Sequence, residues 1–187
     1  LSYIYIELSF LFNIFKCLRR ICIMQDFNIS QAVILAGGRG KRLRPLTDSI
    51  PKPIVPINGI PFLDYVINSL ISVGISKILI LIGYKGDLIR NRYRCMKNVN
   101  FDFSEGGEDE QTGRRLLNAH GLLDNHFLLL YGDNYWPIEF DSMIKHFRDL
   151  NAKVSTTIFS NKNGTGEYGY ENNVVVGRNG LVIKYDK

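Results

Sequence analysis

From Gln31 onward, short uninterrupted apolar runs alternate with stretches in which apolar residues recur every three or four positions. Gln31 to Leu35 (QAVIL), closed by Ala36-Gly37-Gly38, reads as a buried parallel strand entering a turn. Pro45, Pro51, Pro53 and Pro56 exclude a long helix between residues 44 and 57. Pro61 opens a helical pattern that places Phe62, Val66, Leu70 and Val73 on one face, and Gly74 ends it. Lys77 to Ile82 (KILILI) predicts a second buried strand, residues 86–94 a short basic helix, and residues 99–103 a third strand. An acidic loop follows over 104–111. Thr112 is then expected to cap a helix reaching about Leu123, ahead of another buried strand at Phe127 to Tyr131 (FLLLY). A helix over 140–150, an alternating strand over 153–159 and a hairpin around Arg178-Asn179-Gly180 complete the pattern. Strands alternating with helices predict an α/β fold, a three-layer α/β/α sandwich around a mostly parallel central sheet.

The ends of the chain read differently. The opening 23 residues are rich in apolar and aromatic side chains, but their longest uncharged run, Leu8 to Phe15, is too short to span a bilayer. Their basic residues Lys16, Arg19 and Arg20 follow the apolar run, whereas a secretory signal places them before it. Residues 1–23 are therefore read as an appended or artefactual segment, with an amphipathic packing element as the alternative. Met24 is the natural start of a domain over 24–187. The chain ends two residues after a strand pattern at Leu181 to Tyr185, so that domain is read as truncated.

Across 187 residues, 45% hydrophobic and 22% charged side chains exclude a wholly disordered chain. Three cysteines show no metal-ligand spacing and cannot close a complete disulfide framework, which suits a reducing, cytoplasmic compartment. Cys95 is expected to be buried or partly buried, without a base to activate it. His120, His126 and His146 form no metal pattern and read as surface or helix-end residues.

The net charge of +5 is concentrated. Arg39, Lys41, Arg42, Arg44 and Lys52 face a single acid, Asp48, within residues 31–53, whereas residues 54–187 balance fifteen basic against fifteen acidic side chains. A local excess suits a small polyanion better than a nucleic-acid backbone. It sits in Leu35-Ala36-Gly37-Gly38-Arg39-Gly40-Lys41-Arg42-Leu43-Arg44-Pro45-Leu46-Thr47, directly after the first strand. Glycines there let backbone amides approach phosphate oxygens, and arginines grip phosphate through paired N–H donors. A Walker loop is excluded because Arg42 follows Gly40-Lys41, and a dinucleotide fingerprint because Leu43 occupies its third small position. Downstream, Pro51 and Pro53 fix the backbone on both sides of Lys52, which restricts where its ammonium points. After the FLLLY strand, Gly132-Asp133 places a carboxylate at the same sheet edge as the glycine loop.

LAGGRGKRLRPLT followed by PKPIVPINGIPFLDYVI resembles the N-terminal half of the sugar-1-phosphate nucleotidyltransferases. That resemblance implies a Rossmann-like fold and synthesis of a nucleotide sugar from a nucleoside triphosphate and a sugar 1-phosphate, with magnesium. It implies that Leu35, Ala36, Gly37, Gly38, Arg39 and Gly40 hold the nucleotide and that Arg42 grips the triphosphate. Lys52 would meet the phosphates at the reacting centre, and Asp133 would bind Mg2+, which usually takes one or two carboxylates and completes its shell with water and phosphate. Gly113 matches a turn that contacts the base. Tyr168-Gly169 and Asp186-Lys187 match sugar- and sugar-phosphate-binding pairs. Trp136 reads either as a wall of the sugar pocket or as core packing.

The stretch from Gln111 to Ala119 and the stretch from Tyr131 to Pro137 most resemble the guanylyltransferases acting on mannose or heptose 1-phosphate. In the acidic loop, residues 105–110, a carboxylate could accept guanine's N–H donors; the run also reads as a solvated charged turn. Thymidylyl-, uridylyl- and cytidylyltransferases of the same family, and a non-catalytic nucleotide-sugar-binding regulatory domain, are the alternatives. No nucleic-acid partner and no membrane span are expected, and a homo-oligomer is left open.

Overall fold

Side-chain alternation along a strand means that a run buried at every position must be covered on both faces of its sheet. Two runs of this chain meet that condition. In the computed structural model, which describes residues 2–4, 29–97, 99–135, 139–158 and 174–185, the elements follow in order. They are β1 (Ser2–Ile4), β2 (Gln31–Ala36), β3 (Pro56–Ile57), β4 (Ile60–Pro61), α1 (Phe62–Ser72), β5 (Lys77–Ile82), α2 (Gly86–Tyr93) and β6 (Asn100–Glu105). After these come α3 (Thr112–Asn118), β7 (Phe127–Tyr131), α4 (Phe140–Asp149), β8 (Thr156–Ile158), β9 (Val174–Val176) and β10 (Val182–Tyr185). Between β2 and β3 the prolines leave only single 3-10 turns, because each lacks the N–H a longer helix needs and its ring clashes with the preceding turn.

The chain divides into two compact units, Asp26–Ile138 and a second built from Leu1–Gln25 with Glu139–Lys187, so the stretch read as one domain, 24–187, is shared between them. In the first unit four strands form a sheet in the order β6-β5-β2-β7, every pairing parallel. This is the predicted parallel sheet of an α/β fold. Val33, Ile34, Leu79, Ile80, Leu81 and Ile82 are essentially inaccessible, and α1 (Leu63, Ile67, Leu70) and α2 (Ile89) contribute further fully buried side chains. Chain order runs outward from β2 through β5 to β6, then returns to place β7 on the other side of β2. The strand order therefore reverses between β2 and β7, where an open α/β sheet leaves a crevice beyond its carboxyl ends.

In the second unit, β9 and β10 form the predicted antiparallel hairpin across Arg178-Asn179-Gly180, with Gly180 at positive φ. Ser2–Ile4, within the segment read as appended, pairs antiparallel with Thr156–Ile158.

Three local expectations need correction. The helix from Thr112 ends at Asn118 and continues as a 3-10 turn over His120–Leu122, and Gln111 rather than Thr112 occupies the N-cap position. Gly121, a poor helix former, sits in that turn. FLLLY is not buried throughout: β7 lies at the edge of the described sheet, and Leu129 and Tyr131 are exposed. Cys95, just past α2, is an exposed free thiol. His120 is exposed as expected, and no group of three His, Cys, Asp or Glu among the described residues is arranged to hold a metal.

A polar clasp fixes α2 against α1. Arg92 Nη2 donates to Asp64 Oδ2 at 2.6 Å, and the Tyr93 hydroxyl donates to Asp64 Oδ1 at 2.5 Å. The Tyr93 ring stacks on Phe101 of β6 with centroids 5.8 Å apart. Burial alone pushes the Asp64 carboxyl up, but the hydrogen bonds from Arg92 and Tyr93 outweigh it, so the group lies below its ordinary value. A lowered folded value stabilises the fold above the unfolded carboxyl's range, and the gain is lost as pH falls through the folded value. Asp64→Asn is therefore expected to cost about 1–2 kcal/mol at neutral pH. In urea denaturation the deficit should shrink as pH falls through the lowered folded value of the Asp64 carboxyl, where the wild-type group is also protonated.

Candidate active site

The crevice between β2 and β7 is a cavity of about 340 Å3, lined by Leu35, Ala36, Gly37, Gly38, Gly40, Lys41, Arg42, Leu43, Lys52, Pro53, Glu110, Thr112, Arg115, Tyr131 and Asp133. One wall is the glycine loop leaving β2. Gly40 lies in the left-handed region at φ 61°, and its carbonyl accepts from the Leu43 amide at 2.9 Å and from the buried Thr47 hydroxyl at 3.0 Å. Tyr84 completes the support: its hydroxyl donates to the Thr47 carbonyl at 3.0 Å, and its amide donates to the Gly37 carbonyl at 3.1 Å. A Cβ at Gly40 would come within 2.8 Å of Lys52 Cβ, so the absence of a side chain lets the proline-flanked segment lie directly against the loop.

The opposite wall is the end of β7. The Gly132 amide donates to the Leu35 carbonyl at 2.9 Å, extending the β2–β7 pairing just far enough to aim the next residue across the crevice. Lys52 Nζ and Asp133 Oδ2 meet there at 2.5 Å. The Lys52 and Asp133 side chains are 28% and 38% exposed, so this pair closes the mouth of the cavity rather than a dry interior.

The cluster of cations is sorted by partner. Arg39 turns away from the cavity: Nε donates to Asp109 Oδ1 at 2.9 Å, Nη2 lies 2.6 Å from Glu108 Oε2, and the guanidinium sits 5.6 Å from the Tyr84 ring centroid. The hydrogen bond with Asp109 raises the guanidinium and lowers the carboxyl relative to their ordinary values. Arg44 pairs with Asp48 at 3.2 Å. Lys41 and Arg42 line the cavity and form no ion pair among the described residues.

The structure thus brings Leu35, Ala36, Gly37, Gly38, Gly40, Arg42, Lys52 and Asp133 to one cavity. Arg39 is not on its lining, because the acidic loop holds it. Gly113 is exposed in the first turn of α3, and its neighbour Thr112 lines the cavity instead. Tyr168, Gly169, Asp186, Lys187 and Trp136 lie outside the described residues. Sequence reasoning assigned no role to three supporting residues: Thr47, Tyr84 and Arg115. Of these, Thr47 alone carried a signal, as the one hydroxyl closing the LRPLT run.

A family model described as nucleotidyl transferase matches residues 31–185. The chain belongs to the nucleotidyl transferase family. Among other nucleotidyl transferases, it is 32% identical over 126 residues to the UTP–glucose-1-phosphate uridylyltransferase AglF of Haloferax volcanii, covering 67% of this chain and 52% of that protein. It is 28% identical over 158 residues to the D-glycero-alpha-D-manno-heptose 1-phosphate guanylyltransferase of Campylobacter jejuni, covering 84% of this chain and 68% of that one. The crystal structure of HddC from Yersinia pseudotuberculosis superposes with a TM-score of 0.57 at 32% identity, over 65% of this chain and 55% of that chain; HddC has also been solved in complex with GMP-PN. The chain spans about half the length of AglF.

Gly40→Ala is expected to destabilise this nucleotidyl transferase by about 1–2 kcal/mol for the left-handed backbone alone, with the clash against Lys52 added. Gly38→Ala, with nothing within 4 Å of its Cβ position, should leave the thermal midpoint near wild type.

Proposed function

We propose that the cavity catalyses nucleotidyl transfer: an oxygen of a sugar 1-phosphate attacks the α-phosphorus of a nucleoside triphosphate in line, the new O–P bond forms as the α–β bridging bond breaks, and pyrophosphate leaves. The carrying observation is that Lys41, Arg42 and Lys52 line one cavity with the Asp133 carboxylate, which meets Lys52 from the far side. A sugar phosphate is mostly dianionic near neutral pH, because the second phosphate pKa lies near ~6. No general base is needed to make it a nucleophile. What opposes the reaction is repulsion between two polyanions, and cations fixed in advance lower that cost in the transition state.

The donor set fits magnesium. Asp133 offers one carboxylate at the phosphate end of the cavity, which matches an ion that takes one or two protein oxygens and fills its shell with water and phosphate. Such an ion supplies charge neutralisation at the phosphates. Lys52 holds the Asp133 carboxylate in place beforehand and is positioned to move onto a phosphate oxygen, while Arg42 anchors the triphosphate.

GTP is the triphosphate that the base end favours. Glu110 lines the cavity, Asn118 Nδ2 donates to its Oε1 at 2.9 Å, and its buried Oε2 has no hydrogen-bond partner among the described residues. The neighbouring acids Glu108 and Asp109 are taken by Arg39. A carboxylate suits guanine, whose ring N–H and amino group are adjacent donors. The likeness to the heptose 1-phosphate guanylyltransferase supports mannose or heptose 1-phosphate as the acceptor. The compartment follows the cysteine reading and is cytoplasmic; no helix among the described residues is long and apolar enough to cross a membrane.

Arg42→Ala and Lys52→Ala should each lower pyrophosphate release by two or more orders of magnitude with the unfolding transition preserved. The assay pairs each of the common nucleoside triphosphates with mannose, heptose and glucose 1-phosphates. Wild-type rates in both variants would remove the mechanism. Glu110→Gln should lose the preference for GTP over the other triphosphates.

A further inference from the structure

Arg115, in the first turns of α3, is 6% exposed and has no carboxylate partner among the described residues. A buried guanidinium is tolerated only when its N–H donors are all occupied. Here each of the three guanidinium nitrogens donates to main-chain carbonyls, which come from three separate segments. Nη2 donates to Gly37 of the glycine loop at 3.2 Å and to Gly107 of the acidic loop at 2.5 Å, with Glu108 at 3.4 Å. Nη1 donates to Ile82, the last residue of β5, at 2.8 Å, and Nε to Glu110 at 3.1 Å. The backbone is cut to fit this fork. A Cβ at Gly37 would overlap Nη1 and Cζ, one at Gly83 would lie 2.5 Å from Nη1, and one at Gly106 would lie 3.0 Å from Nη1.

We infer that Arg115 is the positioning residue of the nucleotide site, fixing the spacing between the glycine loop that faces the phosphates and the acidic loop that presents Glu110. The inference rests on the nucleotide reading of the cavity for its consequence, but not for its geometry. The fork is essential, because the five N–H donors of a guanidinium are splayed in a plane, whereas an ammonium of equal charge is a point donor that cannot reach three segments at once. Charge is therefore conserved and positioning lost in Arg115→Lys.

The test has two arms on the full chain. In amide hydrogen exchange without nucleotide, Arg115→Lys should raise exchange at least tenfold in both residues 37–43 and residues 106–110, while residues 63–70 and 77–82 keep wild-type protection. Gly37→Ala, whose methyl evicts the guanidinium from the opposite side, should loosen residues 106–110 as well, and should loosen them no further in the Arg115→Lys background. In calorimetric titration, Kd for GTP should rise at least tenfold in Arg115→Lys, with kcat at saturating GTP within about threefold of wild type. Unchanged exchange, loosening of one loop alone, loss of protection throughout the sheet, or wild-type GTP affinity in Arg115→Lys would each overturn the inference. A wild-type chain that binds no nucleoside triphosphate would defeat the proposed function, and the exchange arm would still decide whether Arg115 sets the loops.

Discussion

Four basic side chains within six positions cannot be kept together by backbone geometry alone; each needs an anion or water. The fold resolves this by assigning partners. The acidic loop takes Arg39, Asp48 takes Arg44 one helical step away, and Asp133 takes Lys52 across the crevice. Lys41 and Arg42 are left facing the cavity. The Lys52–Asp133 pair matters most, because it ties the proline-flanked segment to the end of β7 and so joins the two walls of the cavity in which the proposed chemistry would take place. Both groups remain partly exposed, so the pair is exchangeable, as the proposed triphosphate site requires.

Topology sets where those charges meet. Strands β5 and β7 flank β2 on opposite sides, and the Gly132 amide continues the pairing one step beyond β7 before the chain turns. A carboxylate one residue later has no choice but to overhang the glycine loop. The same arrangement explains why the buried support is polar at the carboxyl edge of the sheet and apolar below it. Thr47, Tyr84 and Arg115 tether loop carbonyls that no strand partner satisfies, while Ile34, Leu79, Ile80 and Leu81 fill the layers beneath.

Much of this was legible in the sequence. Short apolar runs such as KILILI, alternating with helical patterns, pointed to strands of a covered parallel sheet, and the glycine–basic loop after the first of them marked the edge where the cavity lies. FLLLY misled because a buried central strand and an edge strand share composition; the difference lies in neighbours, which periodicity does not report. Arg39 misled for a related reason: its partners, Glu108 and Asp109, are seventy residues away in sequence and adjacent only once β6 lies beside β5. Arg115 received no role because nothing local distinguishes a solvated arginine from one whose donors are claimed by distant carbonyls. Glycines at 37, 83 and 106 are its footprint, but each alone looks like an ordinary turn residue.

The most direct measurement is the affinity of GTP for wild-type and Asp133→Asn protein, by calorimetry, with and without Mg2+. Asp133 repels a bare triphosphate and attracts one that carries a divalent ion. The variant should therefore bind GTP more tightly than wild type in the absence of magnesium and at least tenfold more weakly in its presence. An Asp133→Asn effect of the same sign and size under both conditions would contradict the claim that this carboxylate faces the phosphates.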